Sequence, residues 1–110
     1  MTSTTLKWNI LQELQKRQLD PNSGHFRSKS EVEDCLIEPF KKSFADFQGT
    51  VNEYWVVLDE YRKDVETGYL IIYDEQKDLF GLATKASAAD EKLGLLVSLY
   101  GSFIDTLNCM

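Results

Sequence analysis

Apolar residues at helical spacing open the chain. Leu6, Ile10 and Leu14 recur every four residues, which is typical of an amphipathic helix that buries one face. We predict this helix over residues 4–18. It ends before Pro21, because the residue that precedes a proline is disfavoured in the helical conformation.

We predict that a second helix begins at Ser30, because Ser30 and Glu33 three residues later have the spacing of a capping box. Pro39 interrupts this pattern, because proline removes one helical hydrogen bond and clashes with the preceding turn. We therefore predict a kinked helix, or two abutting helical segments, that ends at Gly49. The apolar positions that share one face of this helix are Val32, Leu36, Ile37, Phe40, Phe44 and Phe47.

Residues 51–85 change to a pattern typical of β-strands. We predict three strands, VNEYWVVLDEY, GYLIIYD and LFGLATK, because branched and aromatic side chains suit a pleated, half-buried surface. Both faces of these strands are largely apolar, so both must be covered. We expect the helices on one face, and the C-terminal segment or a second subunit on the other. Gly81 in the third strand indicates a bulge or a close approach by another group.

The run LGLLVSLYG, flanked by Gly94 and Gly101, predicts a fourth, buried strand, with a buried helix as the alternative. Ser102, followed three residues later by Asp105, predicts a short C-terminal helix. The predicted fold class is therefore α+β, a single domain over residues 1–110. It comprises two N-terminal helices, a four-stranded antiparallel meander sheet and a short C-terminal helix.

Composition agrees with one folded domain, since the chain has 110 residues of which 43% are hydrophobic. The sequence contains no run of about 18 apolar residues, so we predict no transmembrane helix. Its first residues lack the apolar block of a secretory signal. We therefore expect a cytoplasmic protein. Cys35 and Cys109 are then expected to be free thiols, because disulfides are rare in a reducing compartment.

Charge is distributed unevenly along the chain, whose formal net charge is −6. Residues 1–50 are neutral overall, whereas residues 51–110 hold 5 Lys/Arg and 11 Asp/Glu and so carry the whole excess. A nucleic-acid-binding protein needs a basic face, and so does a protein that binds an anionic membrane. We expect neither nucleic acid nor a membrane as a partner.

The stretch from Glu53 to Asp78 holds eight acidic and three basic residues, which gives it a net charge of −5. Three interpretations compete: solubilising charge, a docking surface for a basic protein, and a metal or carboxylate catalytic site. The acids do not follow the spacing of a calcium-binding loop. The candidate partner-binding residues are Glu53, Trp55, Asp59, Glu60, Tyr61, Asp64, Glu66, Asp74, Glu75 and Asp78.

Catalytic chemistry has little support in this sequence. Dinucleotide, P-loop, serine hydrolase and zinc protease motifs are absent from it, and His25 is the only histidine. A zinc site made of several histidines of one chain is therefore excluded. We predict no catalytic residue, no metal ligand and no cofactor, and hence a protein that is not an enzyme.

The leading function hypothesis is a non-catalytic protein-binding module, similar in design to immunity proteins that neutralise a basic toxin or nuclease through complementary charge. A homodimeric small-molecule-binding or sensory domain is the alternative. A structural subunit of a larger complex is the third hypothesis. The pocket of the small-molecule alternative would be lined by Trp55, Tyr69, Tyr73 and Tyr100.

Overall fold

The first helix, α1, spans Ser3–Lys16, close to its predicted bounds, and buries Leu6, Ile10 and Leu14 as expected. In this computed structural model, none of the helices in the described parts of the chain is long and apolar enough to cross a membrane. The residues that the structure describes are 2–17, 26, 28–60, 69–85 and 93–110.

The second helix is much shorter than predicted. Helix α2 spans Lys29–Cys35, and its N-cap is Ser28, whose side chain accepts a hydrogen bond from the backbone N–H of Glu31. The chain then enters a ten-residue strand, β1, over Leu36–Ala45. The prediction of a kinked helix that continues to Gly49 is therefore wrong beyond Cys35.

Pro39 accounts for this difference. In a helix interior a proline costs about 3 kcal/mol, whereas a strand tolerates it at an edge or a bulge. The register between β1 and the following strand shifts between Leu36 and Phe40, so Pro39 lies in an irregular stretch where its missing N–H is not required. Of the phenylalanines expected in the core, Phe44 is buried, but Phe40 and Phe47 are 49% and 75% exposed.

Four more strands follow in chain order, and the five together form a closed barrel. Successive strands pair antiparallel, which confirms the predicted meander, but there are five strands rather than four. The barrel closes through a parallel pairing of β1 with the last strand, limited to Phe44 with Gly94 and Ala45 with Leu95. The later strands are β2 (Val51–Asp59), β3 (Leu70–Asp74), β4 (Leu79–Thr84) and β5 (Gly94–Gly101).

Two separate apolar clusters lie on the two faces of this curved sheet. The inner cluster contains residues of all five strands and of no helix, so it fills the barrel. The outer cluster joins strand residues to α1, α2 and the C-terminal helix α3, Phe103–Leu107, which is capped by Ser102 as predicted. The apolar face that points into the barrel is thus covered by the other strands of the barrel, including β5, without a second subunit. The inner residues are Ile37, Phe44, Tyr54, Val56, Leu70, Ile72, Ala83, Leu96 and Leu99.

Polar contacts fix α1 at both of its ends. At its start the Ser3 hydroxyl donates to a Glu38 carboxylate oxygen of β1, at 2.5 Å. At its end the Arg17 guanidinium lies 3.0 Å from the Asp105 carboxylate of α3. Exposed pairs of this kind contribute little stability, so burial of the apolar face of α1 holds the helix and these contacts orient it.

Cysteine and glycine positions agree with the sequence analysis. Cys35 and Cys109 are both free, the first buried and the second exposed. The register between β4 and β5 shifts beside Gly81, and a side chain there would collide with the backbone oxygen of Ser98. Gly81 therefore lies at both a bulge and a close approach of another strand.

Closure of the barrel predicts a sharp effect at Gly94. A Cβ atom at this position would overlap the buried ring of Phe44 and lie 2.8 Å from the Thr84 carbonyl oxygen. We expect Gly94→Ala to lower the free energy of unfolding by about 1–3 kcal/mol, because the Phe44 ring is buried and the Thr84 oxygen belongs to the backbone of a paired strand. Chemical denaturation followed by circular dichroism measures this change.

Gly101→Ala is the matched control at the other end of β5. Its Cβ would meet only the Asp105 carboxylate, at 3.3 Å, and this side chain is exposed and able to rotate. Equal losses of stability in the two variants would show that glycine flexibility, rather than the contact with Phe44, explains the effect.

Candidate functional site

A groove of about 300 Å³ opens at one end of the barrel, between the first half of β2 and the β3–β4 turn, residues 75–78. We call it the barrel-end groove. Glu53, Trp55, Asp74 and Glu75, four of the predicted partner-binding residues, are among its lining. The complete lining is Lys41, Asn52, Glu53, Tyr54, Trp55, Asp74, Glu75, Gln76 and Lys77.

Strand register explains why these side chains meet. Lys41 of β1 pairs with Trp55 of β2, Trp55 pairs with Tyr73 of β3, and Tyr73 pairs with Phe80 of β4. Residues directly opposite one another on neighbouring strands present their side chains on the same face of the sheet. One row of side chains therefore runs across four strands, from Lys41 at the groove to Phe80 in the outer cluster.

Lys41 and Trp55 form the most specific contact of the groove. The Lys41 ammonium lies 5.2 Å from the centre of the Trp55 ring, a cation–π distance, and 3.9 Å from a Glu53 carboxylate oxygen. On the other side, the indole N–H of Trp55 donates to a Glu75 carboxylate oxygen at 3.4 Å. A cation is thus held between an aromatic face and a carboxylate, with a second carboxylate at the rim of the same ring.

Tyr73 lies beside Trp55 on the neighbouring strand and belongs to the outer cluster. Its ring packs on Phe80 with centroids 4.7 Å apart, and Phe80 meets Phe103 of α3 at 5.7 Å. Its hydroxyl donates a hydrogen bond to Asp78, which adopts a φ of 54° in the β3–β4 turn. Burial, together with this hydrogen bond and the nearby acidic charge, raises the pKa of Tyr73 to about 12.

Asp74 shapes the turn beside the groove. It is only 7% exposed, and one carboxylate oxygen accepts hydrogen bonds from the backbone N–H groups of Gln76 and Lys77 at 3.0 and 3.2 Å. Burial, and next the charge of Asp74, raise the pKa of Tyr54. Asp74 therefore has a structural role as well as a position in the groove lining.

Two other candidate acids lie at the opposite end of β2. Asp59 forms an ion pair with Lys85 at 3.5 Å, and Glu60 is 3% exposed and accepts a hydrogen bond from the backbone N–H of Tyr69. Along a strand, the six residue steps from Glu53 to Asp59 span about 20 Å. The candidate set thus divides into two groups. Tyr61, Asp64 and Glu66 lie outside the described residues.

The four aromatic residues of the small-molecule hypothesis occupy different places. Trp55 and Tyr73 are neighbours on paired strands, whereas Tyr69 packs against the outer cluster and Tyr100 is 40% exposed on β5. Trp55 is the one member of this set in the lining of the barrel-end groove. The described cavities do not bring the four side chains together.

Lys41 was not among the predicted site residues, and no surroundings were predicted for Trp8. Lys41 was assigned to the predicted helix, and the one signal against that helix was Pro39. Trp8 is 60% exposed on α1 beside a shallow depression of about 220 Å³. The other residues of that depression are Thr4, Lys7, Leu11 and Glu38.

In the parts of the chain that the structure describes, no three His, Cys, Asp or Glu side chains are placed to hold a metal ion together. Comparisons of the chain with protein-family models, with curated proteins and with solved structures found no match.

The contact between Tyr73 and Asp78 predicts a shift in titration. The folded pKa of about 12 exceeds the ordinary value of 10, so the protonated phenol favours the folded state. This contribution is complete below pH 10 and is lost as the pH rises towards 12. We expect Asp78→Asn to lower the pKa of Tyr73, because it removes the acidic charge while asparagine still tolerates a positive φ.

Titration of phenolate absorbance measures this pKa, and Tyr73→Phe identifies which transition belongs to Tyr73. An unchanged Tyr73 transition in Asp78→Asn would contradict the interpretation that Asp78 contributes to the raised pKa.

Proposed function

We propose that this chain is a non-catalytic protein-binding module of the immunity type, which docks a basic protein through the barrel-end groove. The observation that carries the proposal is the Lys41 ammonium, which lies between the face of Trp55 and the carboxylate of Glu53. The same aromatic face and carboxylate suit a lysine or arginine side chain from another protein.

An arginine of the partner fits these groups best. A planar guanidinium stacks on an indole and can bind a carboxylate through two parallel hydrogen bonds, which an ammonium cannot do. Glu53 and Glu75 lie on either side of Trp55, and both are exposed, so a guanidinium from solvent can reach them. The net charge of −6 would attract a basic protein over a longer range and speed the encounter.

The proposed partner surface is smaller than the set of acids in the sequence. Glu60 is buried and bonded to the backbone at Tyr69, and Asp59 lies at the far end of β2 beside Lys85. Asp74 is likewise buried and bonded to the backbone of the β3–β4 turn, and Asp78 accepts the hydrogen bond of Tyr73. The proposed surface therefore comprises Glu53, Trp55 and Glu75. The small-molecule alternative has less support, because its four aromatic residues do not share one described cavity.

Affinity capture tests this function. The immobilised chain is exposed to lysate of its source organism at low salt and eluted with a salt gradient, and we expect one basic protein to elute at intermediate salt. With the purified partner, Glu53→Gln combined with Glu75→Gln should weaken binding about tenfold or more, equal to about 1.4 kcal/mol. Isothermal titration calorimetry measures this change.

The matched control is Glu33→Gln combined with Asp34→Asn, which removes the same number of charges from exposed positions on α2. If both double variants weaken binding equally, overall charge rather than the barrel-end groove governs the interaction. Binding that does not change with salt would contradict the electrostatic mechanism altogether.

Lys41 gives a second, opposite prediction. If the partner's cation takes the place of the Lys41 ammonium over Trp55, Lys41 competes with the partner. We therefore expect Lys41→Gln to tighten binding more than Lys16→Gln, an equal change of charge at an exposed position near the end of α1. Equal effects of the two substitutions, measured by the same calorimetry, would show that the partner does not occupy the position over Trp55.

A further inference from the structure

Strand β5 extends well beyond the strand that closes the barrel. It runs parallel to β1, and the two pair only where β1 ends and β5 begins, at Ala45 with Leu95 and at Phe44 with Gly94. The six residues Leu96–Gly101 therefore continue past the last residue of β1, over about 20 Å.

The hydrogen bonds that close the turn after β1 lie within the turn itself. Asp46 holds the turn closed, because one carboxylate oxygen accepts hydrogen bonds from the N–H groups of Gln48 and Thr50, both at 2.9 Å. Among the residues that the structure describes, Leu96–Gly101 pair with β4 alone. Alternate backbone N–H and C=O groups of this segment therefore face an open edge, which is a template for another strand.

The open edge lacks the protection that edge strands usually carry. Residues 94–101, GLLVSLYG, include no charged side chain and no proline, the two common devices against strand addition. Ser98 and Tyr100 are exposed on this strand. Phe47, two residues beyond Ala45, is 75% exposed. An uncharged strand with exposed aromatic side chains nearby favours contact over solvation.

We propose that this edge pairs antiparallel with β5 of a second copy of the chain, around a two-fold axis, to give a homodimer with a sheet continuous through both β5 strands. An antiparallel pair of identical strands is self-complementary, as an isologous interface requires. Two chains of charge −6 repel each other, and an uncharged strand lets them approach without like charges facing across the contact.

The proposed dimer contact and the barrel-end groove use different residues. The groove is lined by residues of β1, β2 and the β3–β4 turn, and none of Leu96–Gly101 is among them. The contact of one short strand pair is small, so the dimer should dissociate on dilution.

Light scattering coupled to size exclusion, over a range of protein concentrations, tests the proposal. We expect the mass to rise from 12.7 kDa towards twice that value as concentration increases. Ser98→Lys and Tyr100→Lys should each weaken the dimer about tenfold or more, because the two copies bring like charges together. Gln15→Lys, an equal change of charge at an exposed position on α1, should leave it unchanged.

Hydrogen exchange at low and high protein concentration identifies the surface independently of any substitution that fails to fold. Backbone amides of residues 96–101 should become protected as the concentration rises. A chain that stays monomeric throughout overturns the proposal, as does a dimer whose protection lies elsewhere, for example around Trp8. Protection of residues 96–101 in a monomer bound to a captured partner would equally overturn it, since the edge would then accept a foreign strand.

Discussion

The contact between Phe44 and Gly94 is the constraint on which the rest of the structure depends. Among the described residues the barrel closes through two residue pairs, and at one of them the buried Phe44 ring occupies the space where any other residue would carry its Cβ. Closure at this point gives the inner faces of all five strands a common interior. The outer face is then left for the three helices, so two apolar faces of one small sheet are buried without a second domain.

The same closure determines which surfaces remain open. Among the described residues, β1 and β5 pair only where β1 ends and β5 begins. Most of β1 therefore lies on one side of this contact, and most of β5 lies on the other. The segment of β1 before the contact is met by α1, whose Ser3 hydroxyl donates to Glu38, whereas the segment of β5 after the contact pairs with β4 alone among the described residues. One geometric fact thus explains both a protected edge and an exposed one.

Much of this fold was predictable from the sequence, and the errors have physical causes. From Val51 onwards the sequence predicted four strands in meander order, three from branched and aromatic residues bounded by turns and the fourth from an apolar run of strand length between two glycines. The apolar positions between Leu36 and Phe47 fit a helix as well as a strand, and only Pro39 separated the two. The helical periodicity outweighed the single proline, so the segment of β1 was predicted as a helix. The prediction therefore contained neither a fifth strand nor a barrel.

The candidate site was less predictable, because charge along the chain does not reveal which acids are free. Glu60 and Asp74 hold backbone amides, and Asp78 accepts the hydrogen bond of Tyr73, so each is already engaged in the fold. Lys41 reaches Trp55 through a strand pairing that the sequence analysis did not contain. The net charge therefore predicts the sign of a partner, whereas strand register decides where that partner could bind. The proposed surface lies where a half-buried aromatic ring, Trp55, stands between the exposed carboxylates of Glu53 and Glu75.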